Sequence, residues 1–240
     1  MDTQLSTYRA EGVVRIPALL TEAESVELRA NLQRYEQSVA PDVAAGDIVR
    51  EPGGAIRNLW RMERYDGWFA EFGRRPGIVE LIAALLDDQP ELLAIETFNK
   101  AARQGSAVPP HQDNAYFCRI PADVLTVWIA VDPATAENGP VQYLPGTSGE
   151  LLPHVASRIP GNSMVLADPP STKDRNDVVS GILAPGDAMI HHCQTIHWSV
   201  PNTSDRPRRG LLLVYCARRA VVSPDLRARY DQAQEVFNKR

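Results

Sequence analysis

Pro110-His111-Gln112-Asp113-Asn114-Ala115-Tyr116, residues 110–116, is the stretch on which the fold turns. On a β-strand alternate side chains share a face, so His111 and Asp113 can grip one metal ion while Gln112 points elsewhere. A third ligand then has to come from another strand, and His197 stands in a strand-like stretch far down the chain. Two imidazoles and one carboxylate are the ligand set of a mononuclear non-haem Fe(II) centre, which leaves coordination positions open for a cosubstrate and O₂. Arg208 follows His197 by eleven residues, and its guanidinium fork can bind the far carboxylate of a 2-oxo acid. An isolated His-x-Asp arises often by chance, so its weight depends on the surrounding sequence.

Working outward, the hydrophobic period changes at about residue 91. Before it, Thr21-Glu22-Ala23-Glu24 fits a capping box ahead of a helix with Leu28, Leu32 and Tyr35 on one face. Residues 65–73 read as a short helix, and Pro76 opens another with Ile78, Leu81, Ile82 and Leu85 as its apolar stripe. Residues 12–20 read as a short strand and residues 40–58 as irregular. After residue 91, segments 92–99, 125–132, 141–144, 163–167, 188–192 and 210–217 are strand candidates bounded by Pro, Gly, Asn or Asp. Helices first and strands afterwards predict one mainly β domain over 1–240 with flanking helices. Its helical layer covers mostly 20–90, its jelly-roll core mostly 91–218 and a C-terminal helical tail 222–240. A jelly roll, or double-stranded β-helix, sets remote strands side by side, as uniting His111 with His197 requires.

A net charge of −5 offers no basic field for nucleic acid. No run of 18 apolar residues suggests a membrane span, and the N-terminus MDTQLSTYRAEG lacks the regions of a signal peptide. Cys118, Cys193 and Cys216 are odd in number and form no CxxC pattern, so reduced thiols in a cytoplasmic protein are expected. The partner expected is a small-molecule substrate, acting on a monomer or homodimer.

Several stretches taken together resemble the phytanoyl-CoA dioxygenase family of Fe(II)/2-oxoglutarate oxygenases. They are Phe98-Asn99-Lys100, residues 110–116, residues 125–132, Glu137-Asn138-Gly139-Pro140 with Leu144-Pro145-Gly146-Thr147, Pro185-Gly186-Asp187-Ala188, and His197-Trp198-Ser199-Val200-Pro201-Asn202 leading into Arg208-Arg209. The resemblance covers roughly residues 10–218. It implies a jelly-roll core, with His111, Asp113 and His197 as the metal triad. It places Arg208 on the distal carboxylate of 2-oxoglutarate with Ser199 as hydroxyl partner, and Gln112, Lys100, Trp128 and Thr126 around the cosubstrate. Arg206 and Arg209 compete for the arginine role. Strand parity does not decide among them, and the eleven-residue step favours Arg208. The resemblance further implies C–H oxidation coupled to release of succinate and CO₂. Related halogenases carry a small residue at the Asp113 position, so a carboxylate there argues for hydroxylation or a related oxidation.

The substrate is less legible. Segments 41–61 and 168–182 are candidates for its walls, with Arg50, Arg57, Asn58 and Arg61 in the first. Asn114, Tyr116 and Phe117 are expected at the pocket mouth. Arginines there would suit an anionic group, and a small polar metabolite or natural-product intermediate fits the short acidic chain. His191 and His192 are expected to support the site rather than ligate, and His154 to lie in a surface loop. A Zn²⁺ lyase or hydrolase using the same triad, or a catalytically silent metal-binding jelly roll, are the alternatives.

Overall fold

The computed structural model describes residues 2–171 and 175–238. Helix α1 (Asp2–Glu11) leads into strand β1 (Val13–Ile16) and helix α2 (Glu22–Ser38). The expected capping box starts α2: Thr21 Oγ1 accepts from Glu24 N at 3.2 Å, and Glu24 Oε2 accepts from Thr21 N at 2.8 Å. Such a cap stabilises a helix by about 1 kcal/mol. Strands β2 (Ile48–Arg50) and β3 (Ile56–Leu59) follow, then helices α3 (Gly67–Phe72) and α4 (Pro76–Leu86).

The remaining elements are mostly strands: β4 (Pro90–Phe98), β5 (Val108–His111), the short helix α5 (Asn114–Phe117), β6 (Arg119–Ile120), β7 (Val124–Ala130), β8 (Val141–Leu144), β9 (His154–Ile159) and β10 (Asn162–Leu166). Then come β11 (Val179–Ser180), β12 (Ala188–His192), β13 (Ile196–Ser199), β14 (Gly210–Ala217), β15 (Val221–Val222) and helix α6 (Pro224–Asn238). Among the described residues they form a seven-stranded sheet, β1-β12-β7-β14-β4-β3-β2, and a four-stranded sheet, β11-β8-β13-β5, both antiparallel. These two sheets are the walls of a jelly roll.

The large sheet has two different faces. Ile95, Val127, Ile129, Ile190, Leu211 and Leu213 look outward and join a core with Leu28, Leu32, Tyr35, Phe69, Phe72 and Ile82 of the helices. The alternate residues Glu96, Thr126, Trp128, His191, Leu212 and Val214 look inward and line a cavity. Both faces being covered, β7 is buried at every position and reads as an apolar run broken only by Thr126.

The irregular segment expected at 40–58 instead supplies β2 and β3, which extend the edge of the large sheet. Strands of three and four residues interrupted by Pro52-Gly53-Gly54 are too short to display a period. Three residues of the candidate wall 168–182, positions 172–174, lie outside the described residues. Of the rest, Val179 and Ser180 pair with Tyr143 and Gln142 at the edge of the small sheet, and none lines the cavity.

Candidate active site

β5 and β13 are neighbours, and His111 pairs directly with His197 in their register. The distant third ligand therefore arrives by cross-strand pairing. Asp113 arrives differently from the alternation expected. The strand ends at His111, and Asp113 has helical backbone angles at the start of α5. Its carboxylate still turns back between the two histidines: Oδ1 lies 3.6 Å from His111 Nε2 and 3.5 Å from His197 Nε2. The three candidate ligand atoms lie within 4.8 Å of one another. That spacing is too long for hydrogen bonding and suits atoms sharing one ion with metal–ligand bonds of about 2.1 Å.

Protonation confirms the fit. His111 Nδ1 sits 2.9 Å from Pro109 O, and His197 Nδ1 sits 3.0 Å from Thr195 O. A carbonyl only accepts, so each Nδ1 carries the hydrogen and each Nε2 presents a lone pair. Burial lowers both imidazoles to about 4, which keeps them neutral at neutral pH. Burial opposes ionisation of Asp113, but attraction to His197 and a hydrogen bond from His191 outweigh it and hold the carboxyl well below the usual range. Two neutral nitrogen donors and one ionised oxygen donor suit a divalent iron.

The second oxygen of Asp113 is held from the large sheet. Oδ2 accepts from His191 Nε2 at 3.1 Å and from the Thr126 hydroxyl at 3.1 Å. His191 thus supports the aspartate as expected. Thr126 was expected beside the cosubstrate and instead spends its hydroxyl on Asp113, though it lines the cavity.

The cavity encloses about 720 Å³, within the range of small-molecule sites. Arg208 lies on its wall, 1% exposed, with Nε and Nη1 lacking any hydrogen-bond partner among the described residues. Its guanidinium carbon is 5.0 Å from the Trp128 ring centroid. Burial lowers its pKa only to about 10, so it remains a cation. A buried charge without a partner costs several kcal/mol, and an incoming carboxylate would offset that cost. The competitors are otherwise engaged: Arg209 binds both oxygens of Asp132 at 2.8 and 2.9 Å, and Arg206 is exposed beside Asp205. Ser199, buried two residues beyond His197, lines the same cavity.

Several expected site residues lie elsewhere. Lys100 is fully buried behind Arg208, bridged to it through backbone, and its amine donates to Ser106 O. Gln112 donates to Glu150 O and Gln194 O at 2.8 and 2.6 Å and accepts from Leu152 N, so it ties down the 150–152 loop. Asn114 bonds both backbone groups of Arg119. Arg57 is fully buried in an ion pair with Glu51 at 2.8 Å, and the Asn58 amide donates to Thr97 O. None of these five lines the cavity, because their polar groups satisfy buried backbone and ion-pair needs. His154 is likewise no surface residue: it is half-buried on β9 and its Nε2 accepts from Gln112 N at 3.0 Å.

Tyr116 and Phe117 do line the cavity, as do Arg50 and Arg61. The wall also includes residues that sequence reasoning missed: Glu96, Trp60, Asn162, Ser163, Tyr230 and Gln234. Glu96 carries a legible signal, being the one charged residue on the face it shares with Ala94 and Phe98 of β4.

A jelly roll that presents two neutral histidines and an ionised aspartate to one point, beside a buried unpaired arginine, defines the non-haem iron oxygenase class. Residues 8–210 match the family described as phytanoyl-CoA dioxygenase (PhyH), and the chain belongs to that family. It is 28% identical over 231 residues to a methylphosphonate hydroxylase of Gimesia maris, covering 95% of this chain and 84% of that protein. It is 27% identical over 230 residues to an L-proline trans-4-hydroxylase of Streptomyces griseoviridis, covering 87% and 83%. The fold matches EctD from S. alaskensis, solved with 2-oxoglutarate and 5-hydroxyectoine, at a TM-score of 0.76 and 18% identity over 90% of this chain and 76% of that one. EvdO2 from Micromonospora carbonacea, solved with 2-oxoglutarate, gives 0.71 and 24% over 94% of each chain. The protein is an enzyme of the iron- and 2-oxoglutarate-dependent dioxygenases, with O₂ as oxidant.

Proposed function

We propose that this enzyme hydroxylates an unactivated C–H bond of a small polar metabolite or natural-product intermediate, with His111, Asp113 and His197 holding Fe(II) and Arg208 holding 2-oxoglutarate. The observation that carries the assignment is Arg208: a buried cation with unpartnered N–H groups on the wall that the triad also lines. A hydrolase using the same triad would leave that guanidinium without a purpose. Its planar fork suits the distal carboxylate of the cosubstrate, and Ser199 supplies a neighbouring hydroxyl. When bound, iron and 2-oxoglutarate supply the oxidising chemistry, with succinate and CO₂ released.

The chain's own contribution is geometric. His191 and Thr126 fix which oxygen of Asp113 faces the ion. Trp128 backs Arg208 and keeps it desolvated. The relatives named above act, by name, on methylphosphonate and L-proline, both small and polar, which supports the substrate size. Cys118, Cys193 and Cys216 are buried and unpaired, and they support placement in the reducing cytoplasm.

Adding Fe(II) and 2-oxoglutarate anaerobically to metal-free protein tests the assignment. A weak visible metal-to-ligand charge-transfer band is expected in the wild type and not in Arg208→Ala. Fe(II) binding with no such band in the wild type would overturn it.

A further inference from the structure

We propose that Glu96 anchors the substrate and that the substrate carries a cationic nitrogen, a reading that rests on the cavity being that of the oxygenase above. Glu96 lies on β4, paired with Leu212 of β14, which in turn pairs with Trp128 of β7. Glu96, Leu212 and Trp128 therefore form one row across the inner face of the large sheet. The next row is Ala94, Val214, Thr126 and His191, and its last two residues grip Asp113. Within the row, Trp128 serves the arginine side of the cavity. Glu96 stands two strands away, roughly 10 Å across the sheet, on the side bounded by the β2–β3 hairpin. A molecule held at Glu96 thus extends its carbon skeleton toward the triad without competing for Arg208.

The carboxyl itself is unsatisfied. Glu96 makes no hydrogen bond and no ion pair among the described residues, and it lines the cavity. The other charged groups on this side each have a partner, although Arg61 Nε has no hydrogen bond among the described residues. Arg61 is bound to Asp47, Arg50 to Gly54 O at 2.9 Å, and Glu63 accepts from Ile95 N at 2.8 Å. Burial, reinforced by Asp113 and Glu63 and opposed by Arg61, raises Glu96 to about 8. An acid held neutral this way has no stabilising partner of its own, and a cation arriving beside it restores the ionised form.

The surroundings select for a cation over a neutral donor. Along the strand stands Phe98, and Trp60 meets the Phe98 ring edge-on with centroids 6.4 Å apart. Both rings line the cavity with Glu96. A carboxyl on the wall that Trp60 and Phe98 also line fits an ammonium carrying hydrocarbon substituents, held by charge at one end and by apolar ring surface along its flank. The Arg57 guanidinium carbon already stands 5.1 Å from the Phe98 centroid, so that ring accommodates a cation. An anionic substrate would keep the carboxyl protonated and gain no charge attraction from it.

Calorimetry on anaerobic Fe(II)- and 2-oxoglutarate-loaded protein tests this with matched probes: piperidine and n-butylamine, protonated at neutral pH, against tetrahydropyran and n-butanol, with cyclohexanecarboxylate as the anion. Wild type is expected to favour each amine over its neutral isostere by about tenfold or more, one charge-assisted contact's worth of discrimination. Glu96→Gln should lose that preference and Glu96→Asp recover part of it. Equal binding of the isosteres, an unchanged preference in Glu96→Gln, or tightest binding of the carboxylate would each overturn the proposal. The charge-transfer band of the wild type is recorded in parallel. If it fails to form, the cosubstrate assignment fails, while the amine titration repeated on protein with Fe(II) alone still decides the role of Glu96.

Discussion

The Arg208 guanidinium carbon stands 5.0 Å from the centroid of Trp128, and Gly210 is what lets the two meet. Gly210 lies between them in the strand register, opposite Ala130. A Cβ added there would overlap the indole of Trp128. The absent side chain is therefore the space that the indole occupies, and the indole is the surface on which the arginine rests.

Gly210→Ala should accordingly weaken 2-oxoglutarate while sparing iron. Forcing the indole aside costs about 1–3 kcal/mol, a tenfold or greater loss of cosubstrate affinity. His111 and His197 lie on β5 and β13 and Asp113 at the start of α5, so Fe(II) affinity should stay within about twofold. Separate titrations of Fe(II) and of 2-oxoglutarate check this, and equal losses in both would contradict it.

Arg208→Met removes a buried charge whose Nε and Nη1 have no hydrogen-bond partner among the described residues. Its Tm without ligands is expected to rise by a few degrees, since burying that charge costs free energy that an apolar side chain does not. Wild type should gain about 2.7 kcal/mol from 2-oxoglutarate at one hundred times Kd, and the variant none. Thermal melts with and without cosubstrate measure both effects.

His191→Phe deletes the donor to Asp113 Oδ2 and keeps the ring volume approximately. Iron affinity should fall about 10- to 100-fold, the usual cost of losing a partner that orients a metal ligand. Thr126→Val should reproduce a smaller loss, because its hydroxyl shares the same oxygen. Competition against a calibrated chelator reads both, and unaltered affinity in both variants would show that Asp113 is oriented by packing alone.

Glu96 makes stability depend on pH. Its folded pKa, about 8, exceeds the ordinary value of 4.5, so the folded chain holds the proton more tightly than the unfolded chain. Stability from this group is full below about 4.5 and is lost as pH rises through 8. Glu96→Gln does not titrate, so its Tm should match the wild type near pH 5 and exceed it by roughly 2–4 °C or more at pH 8.5. Melts across that range, with pH-independent buffer controls, give the difference curve.

The sequence carried the residue types of the triad, although Asp113 reaches the site by a helical turn and not by the strand alternation expected of it. It carried α2 and α4 because cap and apolar stripe are local signals. Strand parity left Arg208 and Arg209 open, the eleven-residue step from His197 favoured Arg208, and the pairing of Arg209 with Asp132 agrees with that choice. Gln112, Lys100 and Arg57 were misplaced for one shared reason. Each is a polar residue beside the site in sequence whose partners, Glu150, Ser106 and Glu51, are fixed by loop packing that no periodicity reports. Tyr230 and Gln234 were hidden because their place on the cavity wall follows from how α6 packs against β9 and β10.

The position of α6 has its own consequence. The groups suited to iron and cosubstrate stand on paired strands or, for Asp113, on the turn that directly follows one, whereas much of the remaining wall comes from appendages: the β2–β3 hairpin, the turn before β10 and the last helix. Apart from Glu96 and Phe98 on β4, much of the surface that meets the substrate is thus separable from the parts suited to iron and cosubstrate. Grafting different appendages onto this barrel is a route to new acceptor molecules that leaves the oxidising machinery untouched.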